Sequence, residues 1–460
     1  MSQTDFSSLP LSADLLKNLE SLGYESMTPI QAQALPHVLS GKDLIGQAKT
    51  GSGKTAAFGL GLLSRLDGDL YQVQSLVLCP TRELADQVAK QIRKLARTIP
   101  NIKVLTLCGG VPMGPQIGSL ESGAHIVVGT PGRIEDHLRR GRLKLKGVKT
   151  LVLDEADRML EMGFQDTLEK IVEQIPNNRQ TLLFSATYPK EIQSVANRIM
   201  DRPELIKVES THDDLSIQQH FYQIETKEER FDAVRLLLLE HRPISTLIFC
   251  NTKREAQELS DRLKQTGFSV AALHGDLDQR DRDQTLIKFS NKSVAVLVAT
   301  DVASRGLDID SVDAVINYHI AQENEIHTHR IGRTGRAGAE GRAFSLYNSK
   351  EHYKVAQLGL YLDRDIVSER LPAANLLKTT PNQAAMATLK IDGGKKHKLR
   401  PGDILGALTG EKGIAGADVG KIDLADNWAY VAVSRTEVKA ALKKLSEGKL
   451  KGRSFRVRKL

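Results

Sequence analysis

A chain of 460 residues, 40% hydrophobic and 26% charged, is too long for one ordinary core, and its composition is that of a folded protein of two or three domains. The net charge of +8 is unevenly placed: residues 381–460 hold 17 Lys and Arg against 8 Asp and Glu, leaving 47 against 48 in the first 380. No apolar run is long enough to cross a bilayer, and the opening MSQTDFSSLP has neither the basic nor the apolar part of a secretory leader. Integral membrane and disulfide-stapled secreted classes are thereby disfavoured, and a cytoplasmic protein is expected. Cys79, Cys108 and Cys250 lie far apart without metal-ligand spacing, which predicts buried thiols in a reducing compartment.

Early in the chain, AKTGSGKT (48–55) approaches the phosphate-loop pattern G-x-x-x-x-G-K-[ST], with Ala48 at the first position. Gly51 and Gly53 keep side chains clear, so that backbone N–H groups of Thr50 to Gly53, Ser52 included, can surround phosphates. Lys54 is expected to reach the β- and γ-phosphates of a nucleotide, and Thr55 to hold Mg²⁺. The first position needs a small residue but no positive φ, so Ala48 is admissible. The loop alone fits a kinase, a GTPase, a motor or a helicase.

Short apolar runs follow, with helical stretches between them: SLVLC, HIVVG, TLVLDE and TLLFS, then TLIFC, VAVLVA and AVINY. Continuous apolar strands alternating with amphipathic helices predict an α/β fold with parallel sheets covered on both faces. LVLCPTRELADQVAKQI from Leu76 aligns with LIFCNTKREAQELSDRL from Leu247, strand, Cys and Thr preceding a helix in each, which indicates two copies of one α/β domain. VESTHDDLSIQQ (208–219) reads as a hinge between the copies. RLPAANLLKTTPNQAAM reads as a second break, before a β-α-β-β-α-β tail of the split-βαβ kind that RNA-recognition modules share. The domains are therefore expected at 1–208, 216–365 and 384–460.

LVLDEADRM closes a predicted strand on two acids. Asp154 suits the metal shell beyond the phosphates, and Glu155 is placed to take a proton from an attacking water. Two acids after a strand can also be a solvated turn; the phosphate loop upstream weighs against that.

DEAD at 154–157 resembles the signature of the DEAD-box ATP-dependent RNA helicases, and the resemblance runs through the first 340 or so residues. GYESMTPIQ, ending at Gln31, is similar to the family's Q motif, with Phe6 at its upstream aromatic position. PTRELA (80–85), GG (109–110), TPGR (130–133), SAT (185–187), LIFCNT, Gln279 with Arg282, VATDVASRGLDI and HRIGRTGR follow in the family's order. Ala48 is also the family's usual residue. The resemblance implies two RecA-like domains that close on ATP and RNA together. Gln31 would pair both edges of adenine, and Tyr24 or Phe6 would stack on it, with plain core packing as the alternative. Gly306 and Asp308 would complete the nucleotide site, and Arg333 and Arg336 would act as arginine fingers. Ser185 and Thr187 would relay between the acids and the second domain. Thr81, Arg82, Gly109, Gly110, Thr130 and Arg133, with Thr252, Gly275, Arg282 and Thr300, would grip the sugar-phosphate backbone without reading bases. Two departures stand out: His319 replaces the acid of the family's NYD, and His327 with His329 flank Thr328 where an aromatic residue is usual.

The tail's TLKIDGGKKHKLRPGDILGALTGEKGI and KGRSFRVRKL resemble the C-terminal RNA-binding domain of the bacterial dead-box protein A type. That implies a hairpin of 23S ribosomal RNA near the peptidyl transferase centre as target, and large-subunit assembly as the process, for a protein expected to be monomeric. Trp428 and Tyr430 alone do not make the aromatic platform of an ordinary RNA-recognition sheet, and either can be core. Lys395, Lys396, Lys398, Arg400, Lys449, Lys451, Arg453, Arg456 and Arg458 are the expected contacts. Two other readings fit many of the same motifs: an ATP-gated RNA clamp that unwinds little, and a DNA translocase, which the DEAD-box match disfavours.

Overall fold

The computed structural model describes residues 4–48, 51–208, 217–304, 312–335 and 340–460. They fall into two compact units, one ending at residue 208 and the other starting at residue 217.

Seven strands run through the first unit: β1 (Leu44–Gln47), β2 (Ser75–Leu78), β3 (Val104–Leu107), β4 (Ile126–Gly129), β5 (Thr150–Asp154), β6 (Gln180–Ser185) and β7 (Glu204–Lys207). They form one sheet in the order β3-β4-β2-β5-β6-β1-β7, and every pairing is parallel. The apolar runs are continuous because both faces are covered. Val77, Val152, Leu182 and Phe184 enter one core, whereas Leu76, Leu78, Leu151, Leu153 and Leu183 enter the other. Helices supply both layers, with Phe58 of the helix Lys54–Ser64 tilted against Phe184 at 5.5 Å between ring centroids.

The second unit holds a six-stranded parallel sheet of β8 (Ile217–Gln223), β9 (Thr246–Cys250), β10 (Val270–Leu273), β11 (Val296–Thr300), β12 (Ala314–Asn317) and β13 (Gly341–Tyr347). Its order is β10-β11-β9-β12-β13-β8. Five of these strands repeat the first sheet's pattern β3-β4-β2-β5-β6, which is the duplication anticipated from the sequence. The aligned units β2 to Arg82–Leu95 and β9 to Lys253–Gln265 even share a cap: Thr81 accepts from Leu84 N, and Thr252 from Glu255 N. All three cysteines are buried, and burial pushes the Cys108 thiol up to about 12.

The expected hinge is shorter than 208–219, because Ile217–Gln219 already pair along β13; residues 209–216 lie outside the described set. Residues of the second break pack on the second sheet. Leu371 and Leu376 pack on the second sheet's core, Arg235 donates to the Leu377 carbonyl at 3.2 Å, and Glu369 N bonds Phe221 O at 2.7 Å.

The same unit carries the tail, an antiparallel sheet of β14 (Met386–Ile391), β15 (Val419–Leu424), β16 (Ala429–Ser434) and β17 (Val457–Lys459), ordered β15-β16-β14-β17. Leu389, Ile391, Val431 and Val433 face its two helices, Pro401–Thr409 and Val438–Glu447. The other face is buried too. Thr388 meets Asn291 at 3.4 Å and hydrogen-bonds Ser293, Met386 N reaches Lys292 O at 3.4 Å, and Lys421 donates to Ser290 at 2.7 Å. The helix Gln279–Ser290 and the turn after it therefore cover the tail's open sheet face. Tyr430, 2% exposed, is core, as one of the two sequence readings had it. No helix among the described residues is long and apolar enough to cross a membrane.

Candidate nucleotide and RNA site

Ligands of open α/β sheets collect beyond the carboxyl ends of the strands, where the order reverses. In the first sheet that edge sorts the motifs into two halves. Loops after β3, β4 and β2 carry Gly109–Gly110, Thr130–Arg133 and Thr81–Arg82; the ends of β5, β6 and β1 carry Asp154–Glu155, Ser185–Thr187 and Ala48–Thr55. Backbone-gripping candidates thus occupy one half of a single edge, and phosphate-loop candidates the other.

On the nucleotide half, Gly51 and Gly53 have φ of +87° and +96°, the left-handed region that glycine enters without steric cost. Ala48 is 3% exposed and its N–H bonds Ser185 O at 3.0 Å, so only a small side chain fits there. Lys54 is buried and donates to the Ala48 carbonyl at 2.7 Å. Ser52 Oγ is buried without a hydrogen-bond partner among the described residues, a polar atom left for a ligand. Thr55 heads the helix Lys54–Ser64 beside Lys54. Thr50 lies outside the described residues.

Gln31 binds the loop from the side. Its Oε1 accepts from Thr28 N at 3.0 Å, and its Nε2 donates to Gly53 O at 3.1 Å. One amide hydrogen and one lone pair remain, the pair that an adenine edge needs. Phe6 is 4% exposed and meets Tyr24 edge-on at 6.1 Å, while Tyr24 Oη accepts from Gln91 at 3.2 Å.

Asp154 is 3% exposed; burial pushes its carboxyl up to about 7, against the pull of Lys54, with Glu155 adding to the rise. Burial outweighs the charge of Lys54 at this carboxylate, and together with Ser52 it suits a triphosphate carrying a divalent cation. Glu155 is buried with φ of +52°, an uncommon conformation for a residue with a side chain, and Asp154 Oδ1 accepts its N–H at 3.1 Å. Asp157, the last residue of the tetrapeptide, was not among the predicted site residues. Its Oδ2 accepts from Thr187 N at 3.1 Å and Thr187 Oγ1 at 2.9 Å, and Ser185 Oγ accepts from Asp157 N at 3.3 Å. Burial opposes ionisation of Asp157, but Arg158 and the bonds from Thr187 and Ser185 hold its carboxyl below the ordinary value. Its signal was its place in the motif.

On the other half, the candidates brace one another. Arg133 donates twice to the Val111 carbonyl at 3.1 Å, and Arg82 lies where a side chain on Gly110 (φ +71°) would project. Gln116 ties Cys108 O at 2.9 Å to buried His137 at 2.9 Å. Gln116 carried no sequence signal, since it sits within an unremarkable helix.

In the second sheet, Thr252, Gly275 and Thr300 follow or end β9, β10 and β11, three adjacent strands, and Arg282 donates to His274 O at 3.4 Å. Arg333 sits in the turn after the helix Asn324–Ile331, where its carbonyl accepts from Val312 N at 3.0 Å. Gly306, Asp308 and Arg336 lie outside the described residues. Arg330, unassigned from sequence, is 2% exposed and makes 2.7 Å bonds to both oxygens of Asp301. His327 is a packing residue: burial drives its pKa down to about 3, and it stacks on Phe221 at 6.1 Å.

In the tail, two basic segments distant in sequence meet. Lys451 Nζ donates to Lys398 O at 2.7 Å and pairs with Asp403 at 3.3 Å, and His397 packs edge-on against Phe455 at 5.4 Å. Lys395, Lys396, Lys398, Arg400, Lys449, Lys451, Arg453 and Arg456 are exposed around this junction; Arg458 is half-buried.

Residues 28–195 match the family model of the DEAD/DEAH box helicases, 227–338 the helicase conserved C-terminal domain, and 388–459 the DbpA RNA binding domain. The chain is 52% identical over 445 residues to the Escherichia coli ATP-dependent RNA helicase DbpA, covering 97% of each. The chain belongs to the DEAD-box helicases. It is an ATP-dependent RNA helicase of the DbpA type, with two RecA-like domains and an RNA-binding tail. It is also 44% identical over 388 residues to the helicase CshA of Bacillus cereus, covering 84% of this chain and 73% of that one. Among solved structures, Saccharomyces cerevisiae Dbp5 bound to RNA and ADP BeF3 aligns with a TM-score of 0.72 at 31% identity, over 82% of this chain and 99% of that one. A DEAD-box helicase uses ATP.

Proposed function

We propose that this helicase couples ATP hydrolysis to local, non-processive separation of short RNA duplexes, and that its tail directs it to 23S ribosomal RNA during large-subunit assembly in the cytoplasm, as a monomer. Its working parts would be residues 1–208, 216–365 and 384–460. The observation that carries the reading is the sorted edge of the first sheet, with nucleotide motifs at β5-β6-β1 and backbone-gripping motifs at β3-β4-β2.

Thr55 and Asp154 would hold Mg²⁺, whose charge would lower the cost of negative charge gathering on the γ-phosphate. Gln31 orients the base, Lys54 and the loop amides orient the phosphates, and Glu155 accepts the proton of the attacking water. Arg333 and Arg336 add positive charge from the second unit to that of Lys54, which makes hydrolysis wait for the second unit. Asp157, which accepts from Thr187 and donates its N–H to Ser185, is the residue through which the two hold the acids in line. RNA gripped by phosphate and sugar contacts gives stimulation without sequence preference, so preference comes from the tail's basic junction.

The test compares ATP turnover with random RNA and with a 23S fragment containing the peptidyl transferase hairpins. Selective stimulation by the fragment is expected, with Lys54→Ala and Glu155→Gln abolishing turnover while fragment binding persists. Equal stimulation by both RNAs removes the targeting claim, and undiminished turnover in Glu155→Gln removes the base.

A further inference from the structure

The duplication places a residue to which ATP turnover itself gives no role. In the first sheet β2 and β5 pair with Leu78 opposite Leu153; in the second, β9 and β12 pair with Phe249 opposite Asn317. Aligning the two copies on β2 and β9 puts Asp154 in register with Tyr318, and Glu155 with His319. The strand end that carries the acidic pair in the first copy thus carries a tyrosine and a histidine in the second.

His319 is enclosed by charge from four neighbouring elements. Its Nε2 lies 2.6 Å from Glu255 Oε1 on the helix Lys253–Gln265, and its Nδ1 lies 3.6 Å from Glu351 on the turn Ser349–Glu351. Arg230 of the helix Lys227–His241 pairs with Glu351 at 3.3 Å and bonds the Tyr318 carbonyl; Arg330, on the helix Asn324–Ile331, donates to the His319 carbonyl at 3.0 Å. Beside it, the Tyr318 ring stands edge-on at 5.2 Å. The same groups lead outward in both directions. Glu255 accepts from Asn251 N at 3.3 Å and is the helix residue whose N–H Thr252 caps at 3.2 Å. Asn251 Oδ1 accepts from Arg330 at 3.2 Å, and Arg330 grips Asp301, which follows Thr300.

We propose that His319 is a positioning residue which, as a cation between Glu255 and Glu351, clamps the helix start bearing Thr252 to the turn Ser349–Glu351, while Arg330, bonded to the His319 carbonyl and to Asn251, joins the helix that leads into Arg333 to the same cluster. RNA contact at Thr252 and Thr300 then fixes the turn that presents Arg333. This rests on the RNA-stimulated turnover proposed above and adds its proton dependence. Burial alone lowers the basicity of His319, but the two glutamates outweigh it and hold its pKa above the ordinary value. The sign follows from linkage: the clamp is complete below the ordinary histidine pKa and is lost as pH rises through the elevated one.

The test measures, in the full-length protein, the RNA concentration giving half-maximal stimulation of ATP turnover from about pH 6 to about pH 9, across the histidine range. For the parent chain this concentration is expected to rise about fivefold or more towards alkaline pH, a modest coupling energy. His319→Lys, charged throughout, is expected to stay at the acid value, and His319→Gln, never charged, at the alkaline value. A parent profile that is flat, or variants that follow the parent at every pH, overturns the clamp; should His319→Gln not fold, parent against His319→Lys decides alone. Absence of RNA stimulation in the parent at any pH instead sinks the underlying function.

Discussion

At the scale of single residues, the first unit stores an electrostatic cost at its site. Asp154 is buried with its carboxyl raised to about 7 from an ordinary value of 3.8. Over that interval the folded protein binds a proton that the unfolded chain does not. The stability this confers is whole below about pH 4 and drains away as pH rises through about 7. Asp154→Asn is therefore expected to stabilise the nucleotide-free protein at about pH 8, by on the order of 1–4 kcal/mol. That corresponds to roughly 2–4 °C in Tm for each kcal/mol in a domain of this size. The gain should vanish towards about pH 4, and thermal unfolding across that range checks it; an equal gain at every pH removes the buried-carboxylate account. Glu155, with φ of +52°, adds a second local cost at the same place, as sites poised for chemistry often do.

At the scale of elements, the residues proposed to grip RNA are also the residues that begin helices. Thr81 caps Arg82–Leu95 and Thr252 caps Lys253–Gln265. The two duties can be separated. Thr81→Asp keeps a good cap and favours the helix dipole, but sets a negative charge where a phosphate would come. Thr81→Val loses the cap, at about 1 kcal/mol. Denaturant unfolding should show Thr81→Asp as stable as the parent and Thr81→Val weakened, while RNA-stimulated turnover falls further in Thr81→Asp. Unimpaired RNA stimulation in Thr81→Asp leaves Thr81 as a cap alone.

This double duty explains how much could be read in advance. Strands such as SLVLC and TLVLDE announced themselves by continuous apolarity, and the Leu76 and Leu247 repeat announced the duplication, because packing on both faces constrains every position. Ala48, Lys54 and Asp154 were legible since chemistry fixes their spacing along a local segment, whereas the SAT residues stood out only through the family resemblance. Gln116, Glu255 and the full partner set of Arg330 were not, because their partners come from other strands and only the closed sheet brings them together. The packing of the second break was not legible either, because Leu371 and Leu376 are too sparse to show a periodicity, although each finds the second core.

At the scale of the whole molecule, the tail is seated on its neighbour by the sheet face that would otherwise offer a platform, with Thr388 against Asn291 and Ser293. Removing residues 381–460 therefore uncovers the helix Gln279–Ser290 as well as deleting the basic junction. Charge reversal at exposed Lys395, Lys396 and Lys398 is the cleaner change. The triple Glu variant is expected to lose preference for the ribosomal fragment and to flatten the salt dependence of binding by about 0.7 for each phosphate no longer neutralised, with Tm unchanged. An unaltered salt slope places the RNA-binding cations elsewhere.

A recognition module on a slack tether only keeps its target nearby, whereas one bolted to its neighbour also dictates a heading. With Met386, Thr388 and Lys421 fastened to residues 290–293, any hairpin seized at the basic junction fixes the bearing of the second sheet. Where along a folded RNA the enzyme takes hold is then a matter of angle as much as of distance.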